Sequence, residues 1–160
     1  MMLEKLKKTI EEVEESKEHK DEFLCSAFMM SVIKDIENEE WQIDYYKKGK
    51  DRISSYKKVN GKIEQINKEE EIFKEEEAEI KPLEIEKVRI DFEEARKKGE
   101  EELKNRNEEA NKIIVILQQE DEPIWNITLL TTTFNMLNMK ISAETGEVKE
   151  KKFVSLLNFK

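Results

Sequence analysis

A single cysteine, Cys25, excludes an intramolecular disulfide, and a single histidine, His19, excludes any site built on several imidazoles. Together they fall short of the N and S ligands that a zinc centre needs. A Ser-His-Asp arrangement would have only His19 to draw on, and it sits in the charged stretch Glu18-His19-Lys20-Asp21. Four glycines and two prolines in 160 residues leave little room for flexible linkers. Gly49-Lys50 lacks the glycine spacing of a phosphate-binding loop, and no carboxylate run has EF-hand spacing. No apolar stretch approaches the roughly 20 residues of a membrane-spanning helix. Met1–Val13 is charged and amphipathic, without a signal-peptide core, so a cytoplasmic location is expected.

Charge, by contrast, is abundant. There are 38 acidic and 29 basic residues, a net charge of −9. A field of that sign disfavours general binding to nucleic acid or anionic membrane. One hairpin departs from it. The stretch from Tyr45 to Lys62 carries Lys47, Lys48, Lys50, Arg52, Lys57, Lys58 and Lys62, against Asp51 alone, with Tyr45, Tyr46 and Tyr56 interleaved. Cations and aromatics together can hold a single strand or an acidic peptide. Lysines on an edge strand also serve simply to blunt aggregation. Cys25 lies in an apolar run and reads as an inert core thiol.

Periodicity sets out the elements. Leu3, Leu6, Ile10 and Val13 have helical spacing, which predicts a helix from about Met2 to Lys20. Phe23–Ile36 is apolar and is assigned to a strand. Trp41, Ile43 and Tyr45 alternate with polar residues, as in a half-buried strand. Arg52–Val59 and Lys62–Ile66 flank Asn60-Gly61, a strong two-residue hairpin signal. Asp91 and Glu94 open a second helix running to about Asn107, with the thin apolar stripe Phe92, Ala95, Gly99 and Leu103. Ile113–Leu117 reads as a central strand. Trp125, Ile127 and Leu129 alternate, as do Leu137, Met139, Ile141 and Ala143. Thr145-Gly146 turns the chain into a last strand, Val148–Phe159.

The order of these features recurs. Each Trp-x-Ile triplet, Trp41-Gln42-Ile43 and Trp125-Asn126-Ile127, follows an acidic turn, an apolar run and an amphipathic helix, and precedes a glycine turn at nearly equal distance. The fold expected from this is α+β: a tandem duplication of a helix followed by a four-stranded antiparallel meander. A first unit spans residues 1–73, an acidic linker 74–90, and a second unit 91–160, the two packing as one globule. Both tryptophans read as anchors between helix and sheet. The apolar segment Phe153–Phe159 is expected to close the interface between the units.

The second unit resembles a PepSY-type domain of the broad cystatin-like class. Phe92-Glu93-Glu94-Ala95, Pro123-Ile124-Trp125-Asn126-Ile127 and Ile141-Ser142-Ala143-Glu144-Thr145-Gly146-Glu147-Val148 carry the likeness. Ser142 stands where that family usually has Asp. Residues 1–66 look like a more divergent copy. The resemblance implies an α+β fold and a binding role, with no catalytic residues to carry over.

The expected function is therefore a non-enzymatic protein-interaction or regulatory role, with a protein or peptide partner and self-association through a sheet edge as an option. No catalytic, cofactor or metal residues are assigned, and no cofactor is expected. Two alternatives remain. One is a nucleic-acid or phosphate-binding module at the basic hairpin 45–62. The other is an enzyme with a carboxylate site between the units.

Overall fold

The computed structural model describes residues 2–17, 21–47, 49, 52–66, 70–71 and 79–157. Helix α1 (Met2–Ser16) forms where Leu6, Ile10 and Val13 recur a turn apart, and these bury with Met2 and Thr9. Helix α2 (Phe92–Asn105) buries the stripe Phe92, Ala95, Gly99 and Leu103, as the spacing predicts. Gly99 lets α2 lie close on the sheet: a Cβ there would stand 2.9 Å from Leu129 Cδ1. Asp91 caps α2 by accepting the Glu93 N–H at 3.1 Å. Its other oxygen accepts the Leu3 N–H at 3.4 Å. One carboxylate thus serves the N-termini of both helices, where unpaired N–H groups favour an anion.

The strands are β1 (Glu22–Val32), β2 (Gln42–Lys47), β3 (Arg52–Val59), β4 (Lys62–Gln65), β5 (Glu70–Glu71), β6 (Ala110–Gln119), β7 (Pro123–Thr131), β8 (Asn135–Ser142) and β9 (Val148–Ser155). The apolar run from Phe23 is a strand only as far as Val32; a 3-10 turn, Ile33–Asn38, follows. Asn60 and Gly61 have φ of 52° and 81°, the left-handed pair that a tight two-residue hairpin requires.

The expectation of two tandem helix-plus-four-strand units is corrected by the strand order. All the described strands form one antiparallel sheet, β4-β3-β2-β1-β6-β7-β8-β9, with β5 also paired to β3. The molecule is mostly sheet, and its centre is the pair β1–β6, joined over Ser26–Val32 and Lys112–Gln118. The physical reason is edge closure. A sheet ending at either apolar strand, β1 or β6, would present unpaired N–H and C=O groups beside Phe28, Met29 or Ile114, Val115, and pairing them removes both edges. The proposed copies also differ in detail. Trp41 precedes β2 while Trp125 lies inside β7, and β4 has four residues where β9 has eight. The last strand does not close a central interface: β9 is an outer edge and ends at Ser155.

Residues 74–78 of the expected acidic linker lie outside the described residues. From Glu79 onward the connection is fastened to the sheet. Leu83 N–H donates to Leu24 O at 2.8 Å, and both Arg89 and Ile90 N–H donate to Ala143 O at 2.9 Å. Gln119 clasps Glu84, accepting its backbone N–H at 3.0 Å and donating to its carboxylate at 2.8 Å. Leu83 and Val88 are buried.

One face of the sheet meets the two helices, and the core lies there. Ala27, Met29, Ile43, Tyr45, Ile113, Val115, Leu117, Ile127, Leu129, Leu137, Met139 and Ile141 all point into it. At its middle Trp41, Phe92 and Trp125 pack as a triad with ring centroids 5.8–5.9 Å apart. The reading of both tryptophans as structural anchors holds: each is fully buried.

Candidate interaction surface

Alternation along a strand sends every second side chain to the far side of the sheet. No described helix covers that side. Its central residues are nevertheless apolar. In register, Phe28 lies beside Ile116, and Met30 beside Ile114. Val32 lies beside Lys112, which in turn faces Leu130; Leu130 faces Met136, and Met136 faces Val154. Only the last of these rows reaches β9, with Lys112 standing in it; the other two turn polar on β7, at Asn126 and Thr128. Met30 is 60% exposed and Val32 39%.

Polar ladders border the patch. Asn138 Nδ2 donates to Asn126 Oδ1 at 2.8 Å and to Thr128 Oγ1 at 2.9 Å, and Asn126 Nδ2 donates to Gln118 Oε1 at 3.3 Å. On the other flank Asp44 accepts from Ser26 Oγ at 3.0 Å, Gln42 Nε2 at 2.9 Å and Ser55 Oγ at 2.6 Å. Lys140 lies between Glu120, at 3.1 Å, and Glu150, at 3.8 Å. Lys112 and Lys152 reach no carboxylate among the described residues.

At the same end of the sheet, the loop between β7 and β8 presents Phe134, 60% exposed, and the chain after β9 presents Leu157, 68% exposed. Phe134 has φ of 64°. A three-residue hairpin loop commonly needs a left-handed residue in that place, and glycine fills it without steric cost. An aromatic there is strained. Phe134→Gly is therefore expected to raise stability by about 0.5–1 kcal/mol, read from the urea midpoint. A fall in the midpoint would mean that the ring is packed in solution.

No protein-family model matches the chain, so the PepSY-type resemblance gains no support. No curated protein matches it either. Among solved structures, it is similar to a crystal structure described as that of a "putative lipoprotein" from Clostridium difficile 630, at 11% identity and a TM-score of 0.58. The match covers 92% of this chain and 90% of that one. At that identity the likeness concerns the fold alone. No described helix is long and apolar enough to cross a membrane.

The residues singled out in the sequence do not converge on a chemical site. His19, Lys48, Lys50 and Asp51 lie outside the described residues. In the rest of the basic hairpin, Lys58 pairs with Glu12 at 3.1 Å, Lys47 with Asp21 at 3.7 Å and Lys57 with Glu39 at 4.0 Å. Tyr45, Tyr46 and Tyr56 are all buried, so none offers a ring face for a base to stack on. Tyr45 donates its hydroxyl to Glu14 at 2.8 Å, and burial, with that bond, raises its pKa.

For a carboxylate site, the described residues hold no group of three or more potential metal ligands. A shallow cleft of about 290 Å³ beside α2 contains Glu100, Glu108 and Glu109. Glu100 is paired with Arg96 at 2.8 Å, and Glu108 accepts from Thr133 and Asn135, the former holding its pKa below the usual range. Glu22 is buried with both oxygens lacking a hydrogen-bond partner among the described residues, but stands alone as such a group on β1. Ser142 is a turn anchor: its Oγ accepts from the Thr145 N–H at 3.0 Å and donates to Glu122.

Cys25 is buried, and its thiol points at Asp44 O, 3.4 Å away. Burial first, and then the Asp44 charge, push its pKa up to about 12. The thiolate needed for nucleophilic work is thus absent at neutral pH. The sign of the linkage follows. Above pH 9, the ordinary value, the unfolded thiol loses its proton while the folded one keeps it, so stability falls as pH rises. Cys25 alone is expected to remove up to about 1.4 kcal/mol per pH unit between about 9 and 12. Comparing urea midpoints at pH 8 and pH 10 in the wild type and Cys25→Ala checks this. An equal pH dependence in the two proteins would discount the buried thiol.

Proposed function

We propose that the chain is a non-enzymatic protein-interaction module whose binding surface is the uncovered face of the sheet. One observation carries the reading: a contiguous apolar patch, from Phe28 and Met30 on β1 to Val154 on β9, on the side of the sheet that no described helix covers. Scattered apolar residues are ordinary on a surface, but a contiguous patch rimmed by polar groups marks an interaction site. The support is physical. On the opposite side of the same strands, equivalent rows bury under helices. The nucleic-acid alternative draws less support, because its tyrosines are buried and three of its four described lysines, Lys47, Lys57 and Lys58, are ion-paired.

Met30→Asp tests the proposal. Met30 is largely exposed, so the substitution should change stability by no more than about 0.5 kcal/mol. Wild type and variant are purified from the native cell under identical conditions. The expected result is a stoichiometric companion protein lost from the variant while the thermal midpoint stays in place. The same companion at the same yield in both preparations would sink the assignment to this face.

A further inference from the structure

The charges on the uncovered face say what kind of partner it fits. We propose that its occupant is an amphipathic helix of another protein that carries carboxylates beside its apolar stripe. The inference rests on the interaction reading above.

Most charges on the face are already satisfied. Lys140 lies between Glu120 and Glu150, Lys57 pairs with Glu39, and Asp44 accepts from two hydroxyls and an amide. On β1 and β6–β9, where the apolar patch lies, the two left without a counter-charge among the described residues are both cations. Lys112 sits within the apolar row between Val32 and Leu130, and Lys152 borders the patch opposite Asn138. Covering them with a surface that brings no carboxylate would strand buried ammonium groups, which is costly. A second copy of this face would bring the same two lysines. An anionic membrane would satisfy them, but it would also meet the field of a chain with net charge −9. A helix with a carboxylate for each lysine supplies the counter-charge and brings far less negative charge into that field.

Dimensions agree. From β1 to β9 the patch crosses four inter-strand gaps, about 19 Å at about 4.8 Å each. That is the length of about 13 helical residues. On β1 and β6 the patch is three rows deep, about 14 Å, wide enough for one helix of about 10 Å diameter, and on β7 to β9 it narrows to the single row of Leu130, Met136 and Val154, where polar side chains would flank the helix. The other face of the same sheet already shows the mode of packing, with α1 and α2 laid on rows of Ile, Leu, Met and Val.

The probe is a synthetic peptide of about 18 residues with leucines at i, i+3, i+4 and i+7 and glutamates beside them, labelled for fluorescence anisotropy. A second peptide replaces the glutamates by lysines. With the full chain, the Glu peptide is expected to bind at least about 10-fold more tightly than the Lys peptide at physiological salt, where the field of the whole chain is screened and close pairs are screened less. The double variant Lys112→Glu/Lys152→Glu should reverse that ranking, and Met30→Asp should weaken both. No binding of the Glu peptide at millimolar concentration overturns the proposal. So does equal binding of the two peptides, or a ranking unmoved by the charge reversal. Phosphatidylglycerol vesicles that sediment the chain when the Glu peptide does not bind overturn it in favour of a membrane. A dimer abolished by Met30→Asp overturns it in favour of a second copy. The companion protein from native cells separates the two levels of the argument. If Met30→Asp removes it and the lysine reversal does not, the acidic helix is overturned and the face reading stands. If neither removes it, both fall.

Discussion

Replacing Trp125 by alanine is expected to cost about 3–5 kcal/mol, the range for emptying the site of a large buried aromatic. The ring has no exposed surface and touches both Trp41 and Phe92. It also holds a polar bond: Nε1 donates to Ile90 O at 2.9 Å, tying β7 to the connection that leads into α2. Trp41 is equally buried, yet its Nε1 has no hydrogen-bond partner among the described residues. That difference gives a sharper comparison. Trp125→Phe strips a carbonyl of its donor, whereas Trp41→Phe removes a donor that was never satisfied. The first should therefore cost about 1–2 kcal/mol more than the second. Urea midpoints of the three variants decide it. A loss under about 1 kcal/mol in Trp125→Ala would put the ring outside the core.

The parts of the fold legible in the sequence are those that short-range physics decides. The stripe Phe92, Ala95, Gly99 and Leu103 fits only one face of a helix, and it is the buried set. Trp125, Ile127 and Leu129 alternate, and all three point into the core. Asn60-Gly61 turns as that dipeptide must. What alternation does not specify is which strand lies next to which. Nothing local in Ala27–Val32 names Lys112–Leu117 as its neighbour, so a repeated order of elements suggested two meanders where the chain makes one sheet. Val32 illustrates the boundary problem. The apolar run continues through Ile33 and Ile36, but the backbone turns into a 3-10 helix there.

The candidate surface was hidden for a related reason. Ile113–Leu117 reads as one apolar run, and the run itself does not say that Ile114 and Ile116 face a side that no described helix covers. Phe28 and Met30 sit in a similar run on β1. Only the register, which sets Met30 beside Ile114 and Phe28 beside Ile116, turns two core-like strands into a patch. The basic hairpin misled in the opposite direction. Counting its lysines could not reveal that Glu12, Glu39 and Asp21 come from elsewhere in the chain to meet them. The signal for Lys112 was present: a lone cation just before an apolar run. Its meaning depends on Val32 and Leu130 as neighbours, which are long-range facts.

Val115→Asp is expected to unfold the whole chain, including the half that it does not belong to. Val115 has no exposed surface and lies on the helix side of β6, facing Met29 on β1 and Ile127 on β7. A carboxylate there has no partner and must either stay charged in an apolar core or take up a proton. Either costs several kcal/mol, against a total of about 5–15 kcal/mol for a typical domain. Position decides how far the damage spreads. β1 and β6 are joined over seven residue pairs, and Trp41 packs on Trp125 across the same centre, so neither half has a face or an edge that survives loss of the other. Trp41 belongs to the N-terminal half and can report on it. In a Trp125→Phe background, Trp41 emission should move to the red at the same urea concentration as the loss of circular dichroism. Adding Val115→Asp should shift both to little or no urea together. If Trp41 kept its native emission while part of the dichroism was lost, the two halves would be separately stable, and the continuous sheet would not be the unit that folds.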